Sequence, residues 1–247
     1  MELMELLYRI MEELSQNGIP IVFKGAMVLN LLIHDNNPSL VERGTRDIDG
    51  DWIGESPSMV QMETALRTAI KNVDSTLDVV INRVYGEKKS AGFKIIDENM
   101  EKVASVDLSV RRNDYMEPYI SYINHVTIKG ASIGKMMSDK LYATSGNGIC
   151  RRVKDLVDIY VMSYVSEFYT MEIYDIWKNT GRIPEDFSQF RCQMDDIEKA
   201  YAKMKGIINK PDFAVLYDRL TIFLTPFFQP QEKIPAVWKG DNWEYNI

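Results

Sequence analysis

The sequence predicts an α+β protein, with a mixed sheet and flanking helices in its first half and helices in its second half. Two predicted strands with a helical segment between them lie within residues 21–53, and three β-rich runs follow between residues 78 and 111. From residue 132 onward, apolar side chains recur at helical spacing instead. We therefore predict an α/β core at residues 1–131, a helical domain at 132–226 and a docked C-terminal tail at 227–247.

The first half begins with an amphipathic helical pattern over residues 1–17, and Gly18 is suited to cap the end of that helix. A strand, an apolar helix and a polar loop then follow at Ile21–Phe23, Gly25–Ile33 and residues 35–46. The segment Ser56–Ser58 supplies an N-cap and a first-turn proline for a helix that extends to about Lys71. The further predicted strands are Asp47–Ile53, Asp78–Tyr85, Phe93–Asp97, Val103–Arg111 and a run near His125–Lys129, with a turn at Gly86–Lys89.

The second half is predicted to consist of helices joined by short loops. A clear break at Ser145–Gly148 separates the first helix from the second. The segment from Phe227 onward is rich in Pro and Trp and has no period, which is why we expect a tail there. The predicted helices are Ser132–Thr144, Arg151–Val165, Thr170–Lys178, Met194–Met204 and Phe213–Leu224.

The composition restricts the classes of function. A net charge of −7 and a pI near 5.0 argue against a broad surface for duplex DNA, although they are compatible with a local basic patch. Two cysteines and two histidines are too few for a disulfide framework or, by themselves, for a zinc site. Because the N-terminus lacks a basic segment before an apolar one, and no apolar run reaches membrane-spanning length, we expect a cytoplasmic protein without a membrane partner.

The most informative segment is Arg43–Asp49, which ends in Asp-Ile-Asp. Successive side chains of a strand point to opposite faces, so Asp47 and Asp49 project together while Ile48 points into the core. Two neighbouring carboxylates repel each other unless a cation neutralises them. Mg²⁺ prefers one or two carboxylates together with substrate phosphates, so this strand predicts a magnesium site.

About twenty residues upstream, an apolar strand leads through Lys24 and Gly25 into a helix that begins near Ala26. A glycine at a helix start lets a phosphate approach the backbone N–H groups and the positive end of the helix dipole. Lys24 is either a phosphate-binding residue or a surface lysine with a buried stem. A strand, glycine and helix followed by a strand with Asp-x-Asp is the layout of a nucleotidyltransferase.

Such a site usually needs a further carboxylate, and the best candidate is Asp107 in Ser105-Val-Asp-Leu-Ser109. The strand alternation places the two serines on the same face as Asp107, where their small side chains leave room for a metal and a nucleotide. A solvated sheet face is the alternative for this strand. Asp51 continues the alternation beyond Gly50, but we interpret it as an exposed acid at the end of a strand.

Two groups of charged residues accompany these carboxylates. Arg43, Thr45 and Arg46 precede them, and one arginine is expected to pair with an acid while the other reaches a triphosphate. On the predicted helix 151–165, a charged stripe lies opposite the apolar one and contains Arg151, Lys154, Asp155 and Asp158. Such a stripe is usually a solvated face, and Lys140 on the preceding helix is one reason to consider a function for it.

These motifs resemble the AbiEii/AbiGii-type nucleotidyltransferases, the toxin components of abortive-infection systems. Members show Lys-Gly-Gly-Thr-Ala-Leu, similar to Lys24–Leu29 here, and Arg-x-Ser/Thr-x-Asp-Ile-Asp, which Arg43–Asp49 matches at every fixed place. Their later helical lysine and Arg-Asp-Leu-Tyr-Asp-Leu helix resemble Lys140 and Lys154–Tyr160. Ala26 stands where many nucleotidyltransferases have serine. The resemblance implies a minimal nucleotidyltransferase fold followed by helices.

The resemblance also implies an enzyme that transfers NMP from an NTP to an RNA, such as tRNA, or to a protein, with Mg²⁺ or Mn²⁺ and a cognate antitoxin. Lys140 and Asp155 are expected to come from the helical half and line the cleft. The implied catalytic residues are Asp47, Asp49, Asp107, Lys140 and Asp155; the metal ligands are Asp47, Asp49 and Asp107; the nucleotide-binding residues are Lys24, Gly25, Ala26, Arg43, Thr45 and Asp158.

Two alternatives stay open from the sequence. A small-molecule nucleotidyltransferase of the antibiotic-modifying type shares this core but needs an acidic acceptor pocket. A degenerate member would bind a nucleotide or a partner without turnover, and Ala26 is the one sequence hint of it. The retention of both Asp47 and Asp49 favours an active enzyme.

Overall fold

The computed structural model describes residues 1–36, 41–84, 90–110 and 113–245, so the turn predicted at Gly86–Lys89 lies outside the described residues. By its internal contacts the chain divides into two compact units. The first unit contains Met1–His34 and Gly44–Ser132, and the second contains Asp35–Arg43 and Ile133–Ile247. Residues 35–43 thus group with the second unit, whereas our predicted boundaries put them in the α/β core.

The elements up to residue 132 include the strands of one large sheet. In chain order they are α1 (Leu3–Gln16), β1 (Ile21–Lys24), α2 (Ala26–Asn36), β2 (Glu42–Arg43), β3 (Asp47–Trp52), α3 (Met59–Val73), β4 (Asp78–Arg83), β5 (Ser90–Ile96), β6 (Lys102–Val110), β7 (Met116–Ile120) and β8 (Thr127–Ala131). Seven of the described strands form one sheet in the order β4-β5-β6-β3-β1-β8-β7. β3 is parallel to β6 and β1 is parallel to β8, while the other neighbours are antiparallel. The predicted mixed sheet with flanking helices is confirmed.

The alternation of β3 and β6 decides which side chains enter the core. Ile48 on β3 and Val106 and Leu108 on β6 are fully buried. Asp47 and Asp49, at the alternate positions of β3, are half-buried. Because the period of a strand is two, one face of this part of the sheet is apolar and the other carries the carboxylates.

Strand β7 was not predicted from the sequence. Pro118 lies at its centre, and proline cannot donate a hydrogen bond to a neighbouring strand, so the sequence argues against a strand there. In the structure β7 is the last strand of the sheet and pairs with β8 alone among the described strands. An edge position tolerates proline because one side of the strand needs no ladder hydrogen bonds.

The start of α3 also differs in detail from the prediction. Its N-cap is Ser58, whose hydroxyl accepts from the Gln61 backbone N–H at 3.1 Å, while the Gln61 side chain accepts from the Ser58 N–H at 2.7 Å. This reciprocal capping box fixes the first turn. Pro57 therefore precedes the helix and does not occupy its first turn.

The second unit is mostly helical. Its further elements are α4 (Ile133–Ser145), α5 (Val153–Val165), β9 (Phe168–Tyr169), α6 (Thr170–Asn179), α7 (Ser188–Cys192), α8 (Met194–Ala202), β10 (Ile207–Ile208), α9 (Phe213–Leu224), β11 (Ala236–Trp238) and β12 (Trp243–Tyr245), with 3-10 turns at Ile149–Arg151 and Thr225–Phe227. β2 pairs with β10, and β11 pairs with both β9 and β12. The sequence did not predict α7 or the two- and three-residue strands, because segments this short contain no period.

The C-terminal segment packs through its tryptophans. Trp238 is fully buried, and its ring lies 4.9 Å from Phe223 and 5.3 Å from Trp243, measured between centroids. The indole N–H of Trp238 donates to the carbonyl of Ser163 at 2.8 Å, so burial leaves its polar atom bonded. None of the helices in the described ranges has both the length and the apolar character needed to cross a lipid bilayer.

Candidate active site

Five residues line up across neighbouring strands of the first unit. Lys24 on β1 is opposite Asp49 on β3, and Asp49 is opposite Asp107 on β6. Gly92 on β5 and Arg83 on β4 continue this cross-strand row. Residues in register point to the same face of a sheet, so two carboxylates occupy the middle of the row with a cation at each end.

Asp47 lies on the same face, two residues before Asp49. It pairs in register with Ser105, while Asp51 pairs with Ser109. The two serines thus flank Asp107 on its own face, as the alternation of β6 predicts. Small side chains around a set of carboxylates leave space for a cation and a phosphate-bearing ligand.

The turn from β1 into α2 lets the Asp49 carboxylate approach the backbone closely. Gly25 has a φ of +74°, a conformation that residues with a Cβ rarely adopt. A Cβ at Gly25 would lie 2.9 Å from Oδ2 of Asp49, so the carboxylate packs directly against this turn. Helix α2 begins at the next residue, Ala26, which is buried. The arrangement puts the Asp49 carboxylate beside a helix N-terminus, where anions such as phosphate are favoured.

The partly exposed Lys24 forms an ion pair with the buried Asp51. Lys24 Nζ lies 2.5 Å from Asp51 Oδ1, and Asn113 Nδ2 donates to Asp51 Oδ2 at 3.0 Å. Asp51 is 1% exposed, so our interpretation of it as an exposed acid at the end of a strand was wrong. The strand does not turn outward at Gly50, because that glycine is packed on the apolar face, where a Cβ would meet Ile21 Cγ2 at 2.6 Å.

Arg83 is a site residue that the sequence did not indicate. Its Nη2 lies 2.5 Å from Asp107 Oδ1, and it also hydrogen-bonds to the carbonyl and hydroxyl of Ser90. Gly92 makes this reach possible, since a Cβ there would lie 3.1 Å from Asp107 Oδ1 and 3.3 Å from Arg83 Cβ. The glycine inside a strand was the available signal, because such a glycine often marks a close approach.

In the described part of the chain, the carboxylates are not gathered into a preassembled group of three possible metal ligands. Among residues 1–36, 41–84, 90–110 and 113–245, no group of three or more His, Cys, Asp or Glu side chains is arranged to hold a metal ion. We expected Asp47, Asp49 and Asp107 to share one, and Arg83 is bound to the third of these. A donor set of one or two carboxylates still fits Mg²⁺, which completes its shell with water and substrate phosphates.

The side chain of Thr45 forms a hydrogen bond with the backbone at the start of β3. Its Oγ1 accepts from the Asp47 N–H at 3.1 Å, which closes a local turn just before the first carboxylate. The contact that the structure gives this predicted nucleotide-binding residue therefore orients the chain around Asp47.

A second cluster lies within the second unit. Arg43 makes a two-pronged contact with Asp158, with Nε to Oδ1 and Nη2 to Oδ2 both at 3.1 Å. Lys140 Nζ lies 2.7 Å from both Asp155 Oδ1 and Asp158 Oδ2. Asp158 is 1% exposed, so α5 does not carry one continuous solvated stripe, which was the alternative to a functional role for these residues. We call Arg43, Lys140, Asp155 and Asp158 the buried ionic cluster.

Burial and charge act in opposite directions on this cluster. Burial by itself would raise the pKa of Asp158, but the charges of Lys140 and Arg43 outweigh it and hold that pKa below its ordinary value. Burial would lower the pKa of Lys140, but Asp158 and Asp155 raise it above its ordinary value. Both groups are therefore charged at neutral pH.

Comparison with protein families and solved structures identifies the chain's relatives. Residues 5–231 match the family described as "Nucleotidyl transferase AbiEii toxin, Type IV TA system". A comparison with curated proteins gives no match. Among solved structures, the chain is similar to JHP933 from Helicobacter pylori, with 13% identity, a TM-score of 0.53, and coverage of 92% of this chain and 91% of that one.

Two further structures show the same fold. A structure described as a "putative nucleotidyltransferase from H. pylori" is 14% identical with a TM-score of 0.56, covering 92% of this chain and 94% of that one. MenT4, a nucleotidyltransferase toxin from Mycobacterium tuberculosis H37Rv, is 11% identical with a TM-score of 0.50, covering 92% and 82%. The family match confirms the resemblance found in the motifs, and it includes the Gly25 turn and the Asp-x-Asp strand. The protein belongs to the AbiEii family of nucleotidyltransferase toxins of type IV toxin–antitoxin systems, and it is a nucleotidyltransferase.

Proposed function

We propose that this protein transfers NMP from an NTP to an acceptor hydroxyl on RNA, such as tRNA, or on a protein, with Mg²⁺ or Mn²⁺ as the cofactor. The observation that carries the proposal is the position of Asp49, which lies opposite Asp107 in the sheet and against the Gly25 turn. The site thus combines carboxylates for a cation with a helix start for a phosphate.

In this proposal Asp47 and Asp49 hold the metal and Asp107 completes the site. These carboxylates would hold the divalent cation, which would supply positive charge to offset the negative charge that develops during transfer. Asp107 takes the proton of the acceptor hydroxyl while the hydroxyl oxygen attacks the α-phosphorus. The bond from that phosphorus to the bridging oxygen breaks, and pyrophosphate leaves.

The phosphates are bound on the side of the Gly25 turn. The backbone N–H groups at the start of α2 and the positive end of its dipole favour an anion there. Ala26 supplies only its backbone N–H, because it lacks the hydroxyl that serine would add. Thr45 supports the site through the backbone of Asp47, and Lys24 adds a positive charge next to the carboxylates.

The buried ionic cluster contributes to turnover in the same proposal. A lysine and an arginine buried with two aspartates are costly to assemble, since burial removes each ion from water. Arg43 and Asp158 serve the nucleotide, and Asp155 orients Lys140, which it contacts at 2.7 Å. Functional sites are where such perturbed ionisable groups concentrate.

Membership of a type IV toxin family implies an NTP substrate and a cognate antitoxin. We propose that expression of the active protein slows growth and that the antitoxin gene prevents this. Induction of the wild type and of the Asp49→Ala variant, each with and without the adjacent gene, tests both points. Equal growth with the wild type and with Asp49→Ala would contradict a toxic transferase activity.

The acceptor is tested directly. The protein is incubated with each α-labelled NTP, Mg²⁺ or Mn²⁺, and separate fractions of total RNA, protein and small molecules, with Asp49→Ala as the control. Label on RNA or protein that depends on Asp49 supports the proposal. Label on small molecules instead would identify an antibiotic-type transferase. Nucleotide binding without label in any fraction would identify a degenerate, non-catalytic member.

A further inference from the structure

The polar face of the sheet continues beyond the carboxylates onto β5 and β4. Lys94 on β5 pairs in register with Ser105, and Ser105 pairs with Asp47, so Lys94 lies on the face that carries the carboxylates. Lys94 is also two residues from Gly92, which pairs in register with Arg83 on β4. Lys94 and Arg83 are therefore diagonal neighbours on this face, a separation that long side chains can span.

Arg83 is held in place and still has donors for a further anion. Its Nε and Nη2 bond to Ser90, and Nη2 also lies 2.5 Å from Asp107 Oδ1. Among the described residues no hydrogen bond uses Nη1, and the side chain of Arg83 is 36% exposed. Lys94 is half-buried, and within the described ranges it makes no hydrogen bond or ion pair. An arginine and a lysine with N–H groups in excess are suited to bind a phosphate.

These two cations lie on the opposite side of the carboxylates from the proposed NTP phosphates. The strand order runs β4-β5-β6-β3-β1, and α2, whose start would bind those phosphates, follows β1 through the Gly25 turn. In phosphoryl transfer the attacking and leaving oxygens are roughly in line. Because pyrophosphate leaves on the side of Gly25 in the proposed function, the acceptor hydroxyl enters from the side of β6, which carries Asp107. The acceptor therefore lies over β5 and β4, next to Arg83 and Lys94.

We propose that Arg83 and Lys94 form an acceptor subsite that binds the phosphate next to the attacking hydroxyl of an RNA strand. This rests on the proposed function, because that function puts the NTP at the Gly25 turn and the proton acceptor at Asp107. An RNA end suits the subsite, since its terminal hydroxyl is one sugar away from the preceding phosphate. The two cations also offset the repulsion between that phosphate and the carboxylates. A hydroxyl on a protein side chain brings no phosphate to this position.

Binding of RNA without NTP is the first readout, because it does not depend on turnover. The probe is a single-stranded RNA decamer with a fluorescent label at its 5′ end and a free 3′ hydroxyl, and binding is followed by fluorescence anisotropy. Lys94→Met should weaken binding by about tenfold, which corresponds to one charge-assisted hydrogen bond. It should also reduce the slope of log K against log salt by about 0.7, the share of one phosphate on a single strand. Lys102→Met is the matched control, since Lys102 is an exposed lysine at the first position of β6, and it should bind RNA as the wild type does.

A second probe tests where on the RNA the contact is made. The same decamer with an uncharged methylphosphonate at its last linkage lacks only the phosphate charge next to the 3′ hydroxyl. The wild type should bind it about tenfold more weakly than the normal decamer, whereas Lys94→Met should bind both equally. Equal binding of the two decamers by the wild type, or wild-type affinity in Lys94→Met, would overturn the proposal. Arg83→Met should give a similar loss of binding, and it provides the test if Lys94→Met does not fold.

Steady-state kinetics with total RNA as the acceptor separate this subsite from the NTP site. In Lys94→Met the KM for RNA should rise while the KM for the NTP stays unchanged. A rise in the KM for the NTP alone would place Lys94 at the triphosphate and contradict the subsite. A wild type that transfers NMP to protein and binds no RNA would also refute the subsite, while the transferase activity would stand. Absence of transfer to any acceptor would instead contradict the proposed function, and the binding measurements would still decide on the subsite.

Discussion

The Gly25 turn offers the sharpest test of the site geometry, through Gly25→Ala. At a φ of +74°, an alanine costs about 1–2 kcal/mol of stability relative to glycine. For a chain of this size that lowers the melting temperature by about 2–8 °C. The new Cβ would also lie 2.9 Å from Asp49 Oδ2, so the carboxylate must retreat by about half an ångström to reach ordinary contact distance. Because a displacement of about 1 Å at a reacting centre costs about a hundredfold in rate, we expect turnover to fall by about tenfold or more.

Gly18→Ala is the matched control. Gly18 has a similar φ of +67°, but a Cβ there would meet nothing within 4 Å. It should lose a similar amount of stability and keep wild-type turnover. Melting temperatures come from thermal unfolding, and rates come from transfer of labelled NMP well below those temperatures. Wild-type turnover in Gly25→Ala, or an equal loss in Gly18→Ala, would refute the contact between this turn and Asp49 as a determinant of activity.

Four further predictions concern the carboxylates. Asp49→Ala should abolish transfer with an unchanged or higher melting temperature, because it relieves repulsion between like charges; retained transfer would show that the assigned site is wrong. Asp158→Ala should destabilise the fold by about 3–5 kcal/mol in denaturant unfolding, since it leaves Arg43 without this buried partner. Asp155→Ala should lower the free energy of unfolding by only about 1 kcal/mol, because Lys140 retains Asp158 as a partner. The same change should lower turnover sharply. Near-wild-type rates in Asp155→Ala and Lys140→Ala would assign the cluster a structural role. Because its pKa is depressed, Asp158 contributes stability that is complete above about pH 4 and is lost as the pH falls through that pKa. The melting temperature of Asp158→Asn should therefore depend less on acid than that of the wild type. Lys140, whose pKa is raised, contributes its full stability below about pH 10 and loses that stability as the pH rises further.

Much of the fold followed from local patterns. The period of two in β3 and β6 predicted that Asp47, Asp49 and Asp107 lie on the polar face of their strands, because strand geometry fixes that face. The five longer helices of the second half were found from their apolar spacing. The sequence pattern did not predict β7, because Pro118 disfavours a strand unless the strand is known to lie at the edge of the sheet.

The pairing of charged side chains was beyond the reach of the sequence. Alternation places Asp51 on the face of Asp49, but it does not say that Asp51 is buried and bonded to Asn113 and Lys24. The same holds for Arg83, which reaches Asp107 over Gly92 because two neighbouring strands bring it there.

By itself, the sequence determined the family, the mixed sheet with its helices, and the glycine turn and carboxylate strand of the proposed site, because each is encoded by residues close together in the chain. The tertiary structure alone decided the partners: Lys24 with Asp51, and Arg43 and Lys140 with Asp158. The members of the pair between Arg43 and Asp158 are 115 positions apart. Contacts at such separations depend on strand register, helix packing and burial, which set the local strength of each charge interaction and are properties of the folded chain.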